Sequence, residues 1–341
     1  MKTIKRISLL CRLTLVLLLV NLPAFLKGQQ RPLYTQYIFN NYLLNPAVGG
    51  IENYIDLKGG VRQQWVGLTD APKTSYISLH APIGKQFNLG NANSFSDRGD
   101  NPMSRSYVND YTAADPHHGV GFHMVSDKAG IFKRIDINAS YAYHLGISPK
   151  LNMALGVAAG IARLSIEQEQ SRAGEIDDPA FMALYGNHFK PMLSAGVWFY
   201  GASFFAGVSA DQLLKQTLGT EGNKLSALVP HYYATAGYKV LLSEEMAILP
   251  SFLLTRVNTL MYADLNAKFA YKNKFWLGGS CRHKDSFSAL AGLNISYLFN
   301  LSYSYDFGIS DLQQFNNGSH EIVLGLLLNN RYKISCPQNQ F

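Results

Sequence analysis

The chain has 341 residues, enough for two or more soluble domains of ordinary size. Yet 16% of it is charged and 12% aromatic, with 20 Tyr and 19 Phe, whereas a soluble chain carries roughly 25% charge. A mean hydropathy of −0.03 excludes a polytopic helical membrane protein just as firmly, because each of its spans needs ~20 apolar residues. The formal charge of +7 is concentrated at the start: the first 28 residues hold five of the 30 bases and no acid, leaving 25 bases against 23 acids. So balanced a remainder offers no basic stripe for phosphates, and no nucleic-acid partner is expected.

In chain order, residues 1–28 read as a signal peptide. Lys2, Lys5 and Arg6 lead an apolar core from Leu13 to Val20, and Gly28 precedes the cleavage point. Residues 29–53, rich in Asn and Tyr, are too short for a domain and are expected to plug a lumen or to meet a periplasmic partner. From 54 to 331 the dominant period is two. At 134–145, Ile135, Ile137, Ala139, Tyr141, Tyr143 and Leu145 share one face, with Arg134, Asp136, Asn138, Ser140 and His144 on the other. The same alternation runs through 263–271 and 301–307. It predicts that Ile137→Arg harms membrane assembly while Asn138→Arg is tolerated.

Leu193 to Ala210 is the longest uncharged stretch after the signal. Its Tyr200-Gly201-Ala202-Ser203 centre suits two strands and a turn better than a transmembrane helix. Strands are expected near 54–66, 74–83, 119–128, 134–145, 151–165, 190–200, 203–212, 231–243, 246–257, 261–271, 274–283, 287–298, 301–310 and 319–331. The fold class is therefore all-β: a transmembrane antiparallel β-barrel of about 14 strands, an even number as bacterial barrels require; merging or splitting a hairpin would give 12 or 16. A tail, 332–341, follows.

With both termini on the periplasmic side, the long connections 166–189, 213–230 and 311–318 fall at the cell surface and the short ones inside. The polar insertion 84–118 breaks this rule: it is a periplasmic insertion, or the register slips by one strand there. Inward residues such as Ser288, Gly292, Ser302 and Ser304 are small and uncharged, pointing to a modest or plugged interior. Cys281 and Cys336 fall at opposite ends of the barrel, too far apart for a disulfide.

Gln36-Tyr37-Ile38-Phe39-Asn40-Asn41-Tyr42-Leu43-Leu44-Asn45-Pro46-Ala47, then Arg62-Gln63-Gln64-Trp65-Val66-Gly67 and Ala71-Pro72-Lys73-Thr74, resemble the opening of PorP/SprF-type proteins of the Bacteroidota type IX secretion system. Tyr303-Ser304-Tyr305-Asp306, Ser319-His320-Glu321-Ile322 and Cys336-Pro337 resemble that family's close, and weaker matches lie between. The resemblance implies an outer-membrane barrel serving secretion and gliding, in some members the export or retention of a large surface adhesin. It also implies partners: outer-membrane lipid, periplasmic ring or lipoprotein subunits, and an adhesin-like cargo. The motif residues Asn45, Pro46, Trp65, Pro72, Lys73, Asp306, His320 and Glu321 shape the barrel and its N-terminal segment or contact a partner. In the insertion, which departs from the family's short turn, Phe95, Tyr107 and Tyr111 are the candidate partner anchors.

Enzyme chemistry is not legible. His320-Glu321 lacks the second histidine of H-E-x-x-H, since position 324 is Leu324. His117-His118 has no further ligands at metal spacing, Asp177-Asp178 reads as a solvated loop, and no G-x-S-x-G occurs. Arg98-Gly99-Asp100 reads as a chance tripeptide, and Gly156 to Gly160 only as small side chains on one face. No catalytic residue, metal or cofactor is expected. The competing reading is a passive diffusion porin with an open lumen.

Overall fold

The computed structural model describes residues 35–84, 105–166, 188–214, 216–218, 226–283, 285–309 and 311–330. The signal segment, Phe95, Arg98-Gly99-Asp100, Asp177-Asp178, Cys336 and the tail 332–341 lie outside them. Fourteen antiparallel strands form the wall: β1 Ile55–Gln63, β2 Lys73–Ile83, β3 His117–Ala129, β4 Phe132–Ser148, β5 Leu151–Ile166, β6 His188–Tyr200, β7 Phe204–Asp211, β8 His231–Tyr238, β9 Met246–Val257, β10 Leu260–Tyr271, β11 Phe275–Arg282, β12 Ser286–Asn294, β13 Phe299–Gly308 and β14 Ser319–Leu328. Each pairs with the next, and β14 pairs back onto β1 from Ile55↔Leu328 to Gln63↔His320. The wall is closed and leaves no edge strand, as a membrane barrel must. Among the described residues no helix is long and apolar enough to cross a membrane.

Period-two patterning positions the two faces. On β4 the residues Arg134, Asp136, Asn138, Ser140 and His144 are buried inside the barrel, while Tyr141 and Tyr143 are exposed on its outer surface. Short turns need backbone that only some residues adopt easily. Asn258, at φ 55°, supplies the left-handed corner between β9 and β10. At the opposite end Glu245 and Lys272 join two turns, Nζ to Oε1 at 3.0 Å. The hydrogen bond from Lys272 holds the exposed Glu245 carboxyl below its usual range and the Lys272 ammonium above its own.

The insertion between β2 and β3 lies at this same, inner end. No strand is missed, because β2 pairs directly with β3 from Lys73↔Lys128 to Ile83↔His118. Its described part is not a structureless loop. Helix α1, Arg105–Asp110, and the residues after it fold onto neighbouring turns: Ala113 N donates to Pro149 O (2.8 Å), Lys150 Nζ to Asn109 O (3.1 Å) and Arg105 N to Glu244 Oε2 (3.0 Å). Tyr107 and Tyr111 supply the apolar burial that the polar composition of the whole insertion conceals.

Three expectations need correction. The interior is not mainly small and uncharged, since Lys58, Arg62, Arg134, Asp136, Asp264, Lys268, Arg282, Asp306 and Glu321 are all buried there. Lys58 and Asp56, and Arg134 and Asp136, pair two residues apart on one strand, whereas Arg62 and its partners Asp306 and Glu321 sit on strands distant in the chain, which hides that pairing at the sequence level. Asn138 has no room for an arginine: it is 2% exposed and its Nδ2 donates to His123 Nε2 at 3.0 Å. Finally, the N-terminal side of the described chain is not at the inner end. Thr35 sits beside Arg62, Asp306 and Glu321, at the outer ends of β1, β13 and β14.

Candidate functional site

From Thr35 to Tyr54 the chain runs through the lumen from outer end to inner end, and every residue is buried except half-buried Asn41. It makes three short 3₁₀ turns, Gln36–Phe39, Asn41–Leu43 and Pro46–Val48. Such pieces suit a segment whose Asn side chains compete for backbone and whose proline interrupts hydrogen bonding.

At the outer level one guanidinium organises the contact. Arg62 Nη2 donates to Asp306 Oδ2 (2.6 Å), and Nη1 to Glu321 Oε2 (3.2 Å) and to Thr35 Oγ1 (2.9 Å). Thr35 in turn donates from Oγ1 to Asp306 (2.8 Å) and from its amide to Glu321 (3.0 Å), while Tyr76 OH reaches the other Glu321 oxygen (3.2 Å). Two buried carboxylates are thus balanced by one arginine and several neutral donors. Such a set depends on its hydrogen bonds, and most of them are made here, while Asp306 Oδ1 and Arg62 Nε have no hydrogen-bond partner among the described residues.

At mid-depth Asn40 Nδ2 donates to Ser78 Oγ (2.8 Å), and Tyr42 OH shares a 2.6 Å bond with Ser140 Oγ. Phe39 packs against Trp276 with ring centroids 6.3 Å apart, and Lys58 and Lys268 place their ammonium groups over these two rings at 5.1 and 4.9 Å. Asn45 is the pivot. Its Oδ1 accepts from Ala47 N at 3.0 Å, capping the turn that Pro46 opens, and its Nδ2 donates to Val197 O (3.0 Å) and Val208 O (3.2 Å) on β6 and β7. The wall is shaped to admit this corner. A Cβ on Gly156 would overlap the Pro46–Ala47 backbone, and one on Gly196 would overlap Asn45 Oδ1.

At the inner level the Gly49-Gly50 turn is held by histidines. His144 Nε2 donates to Gly49 O (2.8 Å), His117 Nε2 to Gly50 O (3.2 Å), and the two rings stack 4.5 Å apart. Glu52, Asp56 and His80 also bring ligand-type atoms within 4.8 Å of one another, a grouping that residue spacing in the sequence did not reveal. Lys58 Nζ donates to Asp56 Oδ2 at 2.8 Å, so an ammonium already neutralises one carboxylate of this group. A cavity of about 20 Å³ remains beside Phe39, Tyr42, Glu52, Lys58, His80 and Trp198, room for about one water.

The structure brings Asn45, Pro46, Asp306 and Glu321 together with the luminal segment and leaves the other motif residues elsewhere. Trp65, with φ 47°, and Pro72 belong to the outer β1–β2 loop: Trp65 N donates to Ser319 Oγ (3.2 Å), and Pro72 O accepts from Gln64 N (2.9 Å). Lys73 and His320 point outward, the latter bonded through Nδ1 to Tyr303 OH at 2.7 Å. Alternation therefore separates His320 from Glu321 across the wall. Tyr107 and Tyr111 are buried with Ala202 at the inner end, and Asn152 Nδ2 donates to Tyr111 OH at 2.8 Å. Arg62, Tyr42 and the glycines at 156 and 196 were missed as site residues.

A family profile described as "Type IX secretion system membrane protein PorP/SprF" matches residues 26–326. No curated protein sequence matches. Among solved structures the chain is similar to the Acinetobacter baumannii outer membrane protein Omp33, at 9% identity and TM-score 0.47, over 82% of this chain and 100% of that one. It is also similar to the Ralstonia pickettii toluene transporter TbuX, at 7% identity and TM-score 0.46, over 89% and 96% of the two chains.

Proposed function

Because the chain belongs to the PorP/SprF family of type IX secretion system membrane proteins, we propose that it acts as a plugged, non-enzymatic barrel in secretion or surface retention of an adhesin-like cargo, in support of gliding. It is an outer-membrane component of that system and works with other secretion components. The observation that supports a plugged subunit over a diffusion porin is the luminal segment Thr35–Tyr54, hydrogen-bonded to strands on many sides of the wall. A porin needs a continuous aqueous path; this lumen is occupied by its own chain. Cargo and periplasmic ring or lipoprotein subunits then meet the two rims, with the folded part of the insertion at the inner one.

Two measurements test the reading. In planar bilayers the intact protein should carry little steady current, and stable, salt-proportional channels would replace the reading with that of a pore. Affinity isolation from native membranes should recover secretion subunits or one dominant large surface protein. Recovery of neither would refute the assignment to secretion or retention.

A further inference from the structure

The outer surface of the barrel carries a feature that the luminal site does not use. Register places Lys73 of β2 opposite Lys128 of β3, and Lys128 opposite Lys133 of β4. All three lie on the outward face, since their neighbours Thr74, Asp127 and Arg134 point inward: Thr74 Oγ1 donates to Asp127 Oδ1 (2.6 Å) and Arg134 Nε to Asp136 Oδ1 (2.7 Å). Directly opposed side chains in antiparallel strands have Cβ atoms only about 4.5–5.5 Å apart, and like charges so placed repel. Arg163, exposed on β5 one step nearer the membrane midplane, extends the row diagonally from Lys133, and Gln63 and His320 continue it beyond Lys73. The row sits at the outer ends of its strands, just above the exposed apolar side chains of Val61 and Ile161 and the half-buried Ile135.

We propose that this row binds the phosphates of a phosphorylated glycolipid of the outer leaflet, of the lipopolysaccharide type. The charge is complementary, the side chains face lipid rather than lumen, and apolar surface for acyl chains lies directly beneath. Lys128, Lys133 and Arg163 also make contacts within the chain; a lipid phosphate adds a counter-charge shared by the whole row. Long lysine stems can bury against the apolar belt while their ammonium groups stay at headgroup level.

The experiment uses the full-length barrel in detergent and measures its affinity for vesicles containing lipopolysaccharide against vesicles of phosphatidylglycerol. Each lysine near an anionic surface contributes about a fivefold change in affinity, so combined Lys73→Gln, Lys128→Gln and Lys133→Gln should weaken lipopolysaccharide binding about a hundredfold. The corresponding triple arginine variant should retain it, as should Lys272→Gln with Lys274→Gln at the inner end. If the triple glutamine variant does not give a heat-modifiable barrel on gels, Lys128→Gln alone should show the fivefold loss. Undiminished binding by the folded glutamine variants overturns the proposal, and so does equal affinity of the native protein for phosphatidylglycerol vesicles.

Discussion

Replacing Asn45 by alanine isolates the hold of the wall on the luminal segment. The amide caps the Pro46–Val48 turn and donates to the carbonyls of Val197 and Val208. Loss of the cap costs about 1 kcal/mol, and loss of each bond to a buried carbonyl about 1 kcal/mol. A total near 3 kcal/mol corresponds to a roughly hundredfold rise in the population with this part of the segment undocked. The ladder of the wall is untouched, so heat-modifiable mobility on gels should not change. The assay is thiol labelling of Ala158→Cys, a buried inward position on β5 opposite Ser140, in a chain whose own cysteines are serine. Labelling should accelerate about a hundredfold on adding Asn45→Ala. An acceleration below about threefold, under 1 kcal/mol, would refute the assignment of Asn45 as the pivot.

Gly196→Ala should act in the same direction, because its Cβ would collide with the side-chain oxygen Oδ1 of Asn45; unchanged labelling of the same reporter would count against the tight corner. Arg62→Ala strips both Asp306 and Glu321 of their shared cation, and breaking a buried pair this way costs about 3–5 kcal/mol. It should lower the unfolding midpoint in denaturant far more than Glu321→Gln, which keeps a side chain able to hydrogen-bond; equal effects would show that the charge is immaterial. Ile137→Arg, on the lipid face, should reduce assembly with a cost of roughly 2–4 kcal/mol near the midplane, and undiminished heat-modifiable barrel would contradict the facing. A photo-crosslinker at exposed Asp110 on α1 should capture a secretion subunit in cells, whereas one at Ala158 should capture only the protein's own luminal segment; cargo captured at Ala158 would mean that cargo passes through the lumen.

The wall was legible because its code is local. In β4, twelve successive residues from Arg134 to Leu145 alternate between a polar and an apolar face, and a closed sheet preserves that alternation whatever its partners. Ends were less legible. The strand expected to reach 298 stops at Asn294, where Ile295 N and Ser296 N both turn back to Phe299 O; β-propensity of the Ile-Ser-Tyr run gives no sign of that tight bend. For the insertion, averaging over 84–118 buried the signal of two tyrosines four residues apart, which α1 and the residues just after it turn toward the barrel end.

The luminal contacts lay beyond a sequence reading for a different reason. Thr35 meets Glu321 and Asn45 meets Val197 across separations of 286 and 152 residues, and no period links such positions. Asn45-Pro46 does not betray the docking either, because proline has the same local effect in a linker as in a docked segment. What distinguishes a plug from a linker is the surface that receives it. A linker needs no complementary wall, whereas here Gly156 and Gly196 stand on inward positions of β5 and β6, where any side chain would exclude the corner between Asn45 and Ala47. Glycine in a strand costs stability through backbone entropy and lost side-chain packing, and the close approach of a second backbone is what offsets that cost. A strand glycine on the polar face, set beside a short Asn-Pro-rich segment outside the sheet, is therefore the trace that luminal docking leaves in the sequence.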